Sequence, residues 1–344
     1  MLNNNILSNV GKTPMIILKD KRLNNINLFV KLEGNNPTGS VKDRAASYVL
    51  NKLLETGEIN KDTTIIESSS GNFGISLASY CMEKGLKYCC VIDPNILPIN
   101  ETIIRSLATE VIKVTERDET GGFLRTRIRL IEELIRSRDN YYWVNQYGNP
   151  YVAEAYYNSI GVEICNEIKV DYAFIGVSSG GTITGISNRI KKEYPDAKII
   201  AVDSIGSLIF TDKPQKRYIP GIGSSMKPKI IEKAIIDDVV LVSEADTAKK
   251  CLELLKEHSI LAGGSSGTVI AAIEKYVKNK KFKQKPNVVC LFADRGDRYA
   301  STIYCDEWLK KNLLFKNDEV CTPFWYPLVS IIVELSLDSQ YRSC

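Results

Sequence analysis

Histidine is nearly missing from this chain. His258 stands alone among 344 residues, which removes the commonest metal ligand and general base from almost the whole sequence. The 9 cysteines form no Cys-x-x-Cys pair, and none is spaced as a zinc partner for His258. No metal site is expected, and scattered thiols in odd number fit a reducing compartment. Long apolar runs are missing too. The most apolar late stretch, 324–337, carries Glu334 and falls short of the ~20 residues of a membrane helix; it reads as a docking segment or a poorly ordered tail. Residues 1–12 are asparagine-rich, without an apolar stretch of signal-peptide length, so the cytoplasm is the expected location. Neither sign of charge dominates: 45 basic residues face 41 acidic ones, spread along the chain, which argues against a nucleic-acid partner. Internal repeats and low-complexity tracts are also lacking, which excludes a solenoid or a disordered scaffold.

What is present is enough apolar material, 44% of the chain, to bury a sizeable core divided into two lobes. Two extended runs, 15–18 and 28–32, flank a polar stretch as in a hairpin or an early sheet edge. A turn-rich loop over 34–40 precedes a helix over 41–54, which Ser40 can cap and Gly57 stops. β-rich and amphipathic segments then alternate: 63–67, 75–83, 88–92, 100–107 and 110–114, and later 172–177, 182–193, 198–202, 238–242, 244–258, 267–279 and 287–293. This rhythm predicts an α/β fold of two open twisted-sheet domains. The expected division is a smaller domain at 34–147 and a larger one made of 10–33 plus 148–312, with 313–344 as a tail.

Four segments carry chemistry. In Asn36-Pro37-Thr38-Gly39-Ser40-Val41-Lys42-Asp43-Arg44, a lysine starts a helix directly after a loop. Near the positive end of the helix dipole its neutral, nucleophilic form is easier to reach, which suits imine formation; alone, it reads first as an ordinary surface lysine on a capped helix. Glu67-Ser68-Ser69-Ser70-Gly71-Asn72-Phe73-Gly74 offers N–H groups at a helix start, a seat for a carboxylate or simply a capped turn. Gly176-Val177-Ser178-Ser179-Gly180-Gly181-Thr182-Ile183-Thr184-Gly185 follows an apolar run and offers close backbone approach plus hydroxyls for a phosphate monoester. It is not a nucleotide loop, because no lysine follows the last glycine until Lys191. Ala262-Gly263-Gly264-Ser265-Ser266-Gly267-Thr268 leads into another helix, where Ser265 or Ser266 can serve as a cap.

Taken in order, these four segments resemble the cysteine synthase and cystathionine β-synthase branch of fold-type II pyridoxal-phosphate (PLP) enzymes, from about residue 10 to 309. The resemblance implies the tryptophan synthase β-like arrangement, with PLP in the cleft between the domains, and a homodimer. It gives Lys42 the role of the Schiff-base lysine and Asn72 that of hydrogen-bonding the ring hydroxyl. It makes Ser178, Ser179, Gly180, Gly181 and Thr182 the phosphate cradle and Ser265 the partner of the pyridine nitrogen. A serine there does not force a proton onto the ring, which favours loss of a β-substituent over transamination. By the same likeness, Ser69, Ser70 and Gly71 seat the substrate carboxylate, and Gln146 and Tyr147 of Asn145-Gln146-Tyr147 line that pocket.

Within the branch, 201–210, 220–225 and 294–299 are similar to members that join O-phospho-L-serine to L-glutamate. Sulfide-using members carry Ser-Gly-Asn-Thr-Gly where this chain has Phe73, a large ring expected at the substrate edge. Arg127 reads either as a grip on an anionic substrate group or as a solvated arginine beside Arg125 and Arg129. The cluster from Asp294 to Arg298 either closes the site or caps the last strand, and His258 receives no role. Cysteine synthase, and a PLP-binding protein without turnover, are the competing readings; an intact Lys42 with all four loops argues against the latter.

Overall fold

The alternating segments fold into two sheets, seen here in a computed structural model that describes residues 5–119 and 121–314. The smaller sheet holds β3 (Thr64–Ser68), β4 (Lys87–Ile92), β5 (Glu110–Lys113) and β6 (Tyr141–Trp143) in the order β5-β4-β3-β6. All of its pairs are parallel. β3 and β4 are buried almost end to end, the pattern of parallel strands covered on both faces.

The larger sheet holds β1 (Met15–Ile17), β2 (Asn27–Leu32), β7 (Tyr172–Gly176), β8 (Lys198–Ser204), β9 (Asp238–Val242) and β10 (Asn287–Phe292), ordered β1-β2-β10-β7-β8-β9. β1 runs antiparallel to β2, and β2 lies parallel to β10 in the register Leu28 to Val288 and Val30 to Cys290. The early strands therefore cross to the sheet made by the second half of the chain. The α/β fold with two sheets stands as the alternation implies.

Between the sheets lies the main apolar cluster. It takes Ala45, Val49 and Leu53 from α1 (Lys42–Glu55), Leu77 and Ala78 from α2 (Asn72–Lys84), Val152 and Tyr156 from α5 (Pro150–Asn158), and Ile183 and Ile186 from α7 (Gly181–Glu193). α1 packs on both α2 and α5, and α5 on α7. That last contact depends on absent side chains, because a Cβ on Gly185 would lie 2.2 Å from Ala153 O and one on Gly181 2.5 Å from Val152 Cγ1.

Several boundaries differ from the sequence reading. α2 begins at Asn72, and α9 spans Gly264–Val277. Gly263, not Ser265 or Ser266, occupies the cap of α9, with no side-chain cap bond; the helix instead starts inside the glycine-rich turn, with Ser265, Ser266 and Thr268 buried in its first turns. Likewise Val41 caps α1, while Ser40 Oγ accepts from Lys42 N at 3.3 Å. The short helices α5 and α6 (Ile160–Glu167) had no counterpart in the periodicity. Among the described residues no helix is long and apolar enough to cross a membrane. The segment 324–337 lies outside the described residues.

Candidate active site

The four motif segments meet at the C-terminal ends of the strands, where open α/β sheets place their ligands. Lys42 opens α1. The turn before it is stitched to the end of β10, with Val41 N donating to Ala293 O at 2.8 Å and Arg295 N to Gly39 O at 3.3 Å. Gly39 takes φ +88°, and a Cβ there would meet the Arg295 guanidinium, so the turn requires glycine. From this platform Lys42 Nζ donates to Ser179 Oγ at 3.3 Å. Burial lowers the lysine to about 8, against the opposing pull of Glu67 and Asp294. Desolvation is thus the chief cause of the shift, where the sequence argument had rested on the helix dipole.

Ser179 belongs to the turn from β7 into α7. Gly180 there has φ +87°, and the N–H groups at the start of α7 have no acceptor within the helix. Ser178 Oγ donates to Gly223 O at 3.0 Å, and Gly223 N donates to Val177 O at 2.8 Å, so a second loop braces the turn. Gly181 and Thr182 are the first residues of α7. Ser265, buried in the first turn of α9, has its Cβ 3.9 Å from the place a Gly176 Cβ would take, which sets it beside the end of β7.

On the other sheet, the turn from β3 into α2 carries Ser69, Ser70, Gly71 and Asn72. Ser69 Oγ accepts from Gly74 N at 2.9 Å. Ser70 Oγ donates to Asp93 Oδ2 at 3.0 Å and accepts from Arg127 Nη1 at 3.2 Å. Arg127 Nε lies 3.2 Å from Asp93 Oδ2, and Arg127 is 9% exposed. The solvated-arginine alternative is therefore set aside. Arg127 shares the buried face of α4 (Leu124–Ser137) with Leu124, Ile131 and Leu134, a phase visible in the sequence. Gln146 N donates to Glu67 Oε2 at 3.1 Å and Gln146 Nε2 to Ser68 O at 3.0 Å. Tyr147 is raised to about 12 by burial, with Arg127 opposing and Glu67 and Asp93 adding to the shift, so all three lie within electrostatic reach of its hydroxyl.

Phe73 departs from its expected place. It is 2% exposed and belongs to the main apolar cluster, so the ring packs inward instead of standing at an open edge.

Two acids were missed. Glu67 is fully buried, and its oxygens accept from Ser68 N at 2.8 Å, Trp143 Nε1 at 3.4 Å and Gln146 N at 3.1 Å. Burial pushes its carboxyl up to about 7, with those donors opposing. Asp93 anchors Ser70 and Arg127 as described. A glutamate ending an apolar strand was the available signal for Glu67. For Asp93 the sequence offered none. The Asp294 cluster, left undecided by the sequence, enters the site: Asn72 Nδ2 donates to Asp294 Oδ2 at 2.7 Å.

A half-buried amine facing a glycine-rich helix start, on a two-sheet α/β frame, defines a protein built to hold a phosphorylated aldehyde. Residues 6–294 match the family model described as pyridoxal-phosphate dependent enzyme, and the chain belongs to that family. It is similar to the solved structure of an O-acetylserine dependent cystathionine beta-synthase from Helicobacter pylori, with TM-score 0.83 and 30% identity over 89% of this chain and 100% of that one. A hydrogen sulfide-producing enzyme from Fusobacterium nucleatum matches with TM-score 0.80 and 29% identity, over 87% of this chain and 100% of the other. An O-ureido-L-serine synthase shares the fold at TM-score 0.80 and 23% identity, over 92% of this chain and 98% of that chain. The fold is thus that of the fold-type II, cysteine synthase-like PLP enzymes, and the cofactor is pyridoxal phosphate.

The residues present fit that group. The start of α7 supplies N–H groups and hydroxyls without a neighbouring lysine or arginine side chain in the motif, which suits a phosphate monoester. Lys42 is the amine beside it.

Proposed function

We propose that this chain replaces the phosphate of O-phospho-L-serine with the amine of L-glutamate, giving N-(2-amino-2-carboxyethyl)-L-glutamate and phosphate, a precursor of 2,3-diaminopropionate. In this reading the chain is an N-(2-amino-2-carboxyethyl)-L-glutamate synthase working on a siderophore route. The observation that carries it is Arg127, a buried guanidinium bound to Ser70 of the carboxylate-seating turn, where a doubly charged donor would be recognised. Its Nη2 makes no hydrogen bond among the described residues, which leaves a donor for the substrate. With an uncharged ester Arg127 would keep only its structural pairing with Asp93 and Ser70, whereas a phosphate ester gives the guanidinium a second anion to hold.

The cofactor, when bound, supplies an electron sink for charge at the substrate α-carbon. Everything else falls to the chain. Ser178, Ser179, Gly180, Gly181 and Thr182 would hold its phosphate, Ser265 would partner the pyridine nitrogen and Asn72 the ring hydroxyl. Lys42, depressed to about 8, would hold the aldehyde between turnovers. When its amine is free it would take the α-proton, since about a tenth of an amine with that value is already free base at pH 7, far more than for an ordinary lysine. Ser69, Ser70 and Gly71 seat the α-carboxylate, with Gln146 and Tyr147 along the same wall. Phosphate leaves toward Arg127, the glutamate nitrogen bonds to the β-carbon in its place and gives up one N–H proton to solvent, and the protonated Lys42 amine returns its proton to the α-carbon. Release of phosphate before glutamate enters makes the kinetics ping-pong.

The purified protein is to be mixed with O-phosphoserine or O-acetylserine, the visible absorption followed, and glutamate or sulfide then added with the product identified by mass. A glutamate adduct from O-phosphoserine is the expected product. Cysteine without any glutamate adduct would replace this reading by cysteine synthase.

A further inference from the structure

Asn72 is held at both ends of its amide. Its Nδ2 donates to Asp294 Oδ2 at 2.7 Å, while its Oδ1 accepts from the Arg298 guanidinium. Both holders are themselves fixed. Asp294 is 4% exposed, Tyr299 donates to its Oδ2 at 2.8 Å, and its carbonyl accepts from Gly263 N at 3.1 Å. Arg298 also donates to Thr38 O in the loop that carries Lys42.

An asparagine amide flipped by half a turn exchanges donor and acceptor with no change of shape. Here a guanidinium, which only donates, meets one end, and a carboxylate acceptor meets the other. A flip would set NH2 against guanidinium and oxygen against carboxylate, two repulsive pairs in a buried setting. One Nδ2 hydrogen is spent on Asp294, which leaves the other for a ligand.

We propose that Asp294 and Arg298 are positioning residues that lock the Asn72 amide with its remaining N–H toward the cofactor ring hydroxyl. The proposal rests on the assignment of Asn72 as the partner of that hydroxyl. It gives a purpose to the Asp294-Arg295-Gly296-Asp297-Arg298-Tyr299 segment beyond ending β10, and it joins three loops distant in sequence through one small side chain.

The test is a double-mutant cycle on the full chain, read by PLP affinity and by the pH midpoint of the bound cofactor's visible absorption. Wild type, Asn72→Ala, Asp294→Asn and the double variant are compared. Asp294→Asn is expected to weaken PLP binding about tenfold and to move the midpoint when Asn72 is present, as befits a hydrogen bond to a charged group. In the Asn72→Ala background the further loss of affinity should be under about twofold, and the midpoint should move less than it does with Asn72 present, the remainder being the direct pull of Asp294 on Lys42. Equal losses in both backgrounds, or none in either, would overturn the lock. Arg298→Lys is read in the same two backgrounds by the same criterion, and it decides the matter should Asp294→Asn not fold. A wild-type chain that takes up no PLP would instead sink the cofactor assignment itself.

Discussion

Lys42 Nζ lies 3.3 Å from Ser179 Oγ, although the two residues are 137 positions apart. The contact joins the first turn of α1 to the turn that starts α7, so the amine and the phosphate cradle form one unit. Around it stand two buried acids, Glu67 and Asp294, close enough to oppose the loss of the lysine's proton.

A pH dependence follows. Burial sets Lys42 at about 8, so its neutral fraction grows tenfold per pH unit below that value and saturates above it. The rate at which the PLP-free protein captures added PLP should therefore rise to about pH 8 and then flatten. Stopped-flow absorbance across that range checks it. A rate that keeps climbing toward the ordinary lysine value contradicts a buried amine.

Glu67 gives the opposite slope in stability. Its carboxyl is raised from 4.5 to about 7, chiefly by burial, so the folded chain keeps a proton that the unfolded chain releases. Its contribution is full below about 4.5 and is lost as pH rises through about 7, a change on the order of 3 kcal/mol. Glu67→Gln should remove that slope while setting an amide NH2 against one of three N–H donors, for a loss of about 1–3 kcal/mol. Urea unfolding of the PLP-free protein between those pH values reads both effects. Parallel pH profiles for variant and wild type would refute the assignment.

Arg127→Ala should raise KM for O-phosphoserine by at least about tenfold, equivalent to about 1.4 kcal/mol, and change KM for O-acetylserine less. PLP binding should persist, because Arg127 touches Ser70 and Asp93 and not the phosphate cradle. Steady-state kinetics with both donors makes the comparison. Equal effects on the two esters would place Arg127 outside phosphate recognition.

Gly185→Ala tests the packing that aims the cradle. The new methyl would fall 2.2 Å from Ala153 O, forcing α5 and α7 apart at a loss of about 1–3 kcal/mol. Thermal unfolding should show a lower Tm together with weaker PLP binding. A variant with unchanged Tm would mean that the two helices separate freely.

The parts of this site that were legible in the sequence are those built from neighbours in the chain. A lysine after a Pro-Thr-Gly-Ser turn, and glycine and serine between an apolar run and a helix, each state their local structure, and their order matched a known branch of enzymes. Strand alternation likewise located most of both sheets. What the sequence concealed depends on residues far apart. Asp294 meets Asn72 across 222 positions, and Glu67 meets Gln146 across 79. Nothing local marks Asp294 as buried, and for Glu67 the only local sign is the apolar strand it ends. Phe73 misled because a motif comparison says which residue differs but not which way its ring points, and the ring turned into the core. Arg127 could have been placed correctly, since it keeps step with Leu124, Ile131 and Leu134 on one face of α4. Buried arginine is rare enough that a solvated face seemed the equal alternative.

The most direct measurement is to load the protein with PLP, reduce it with borohydride, digest it and find the modified peptide by mass. A pyridoxyl group on Lys42 alone is the result this account requires. Its appearance on another lysine, or on none, would contradict it.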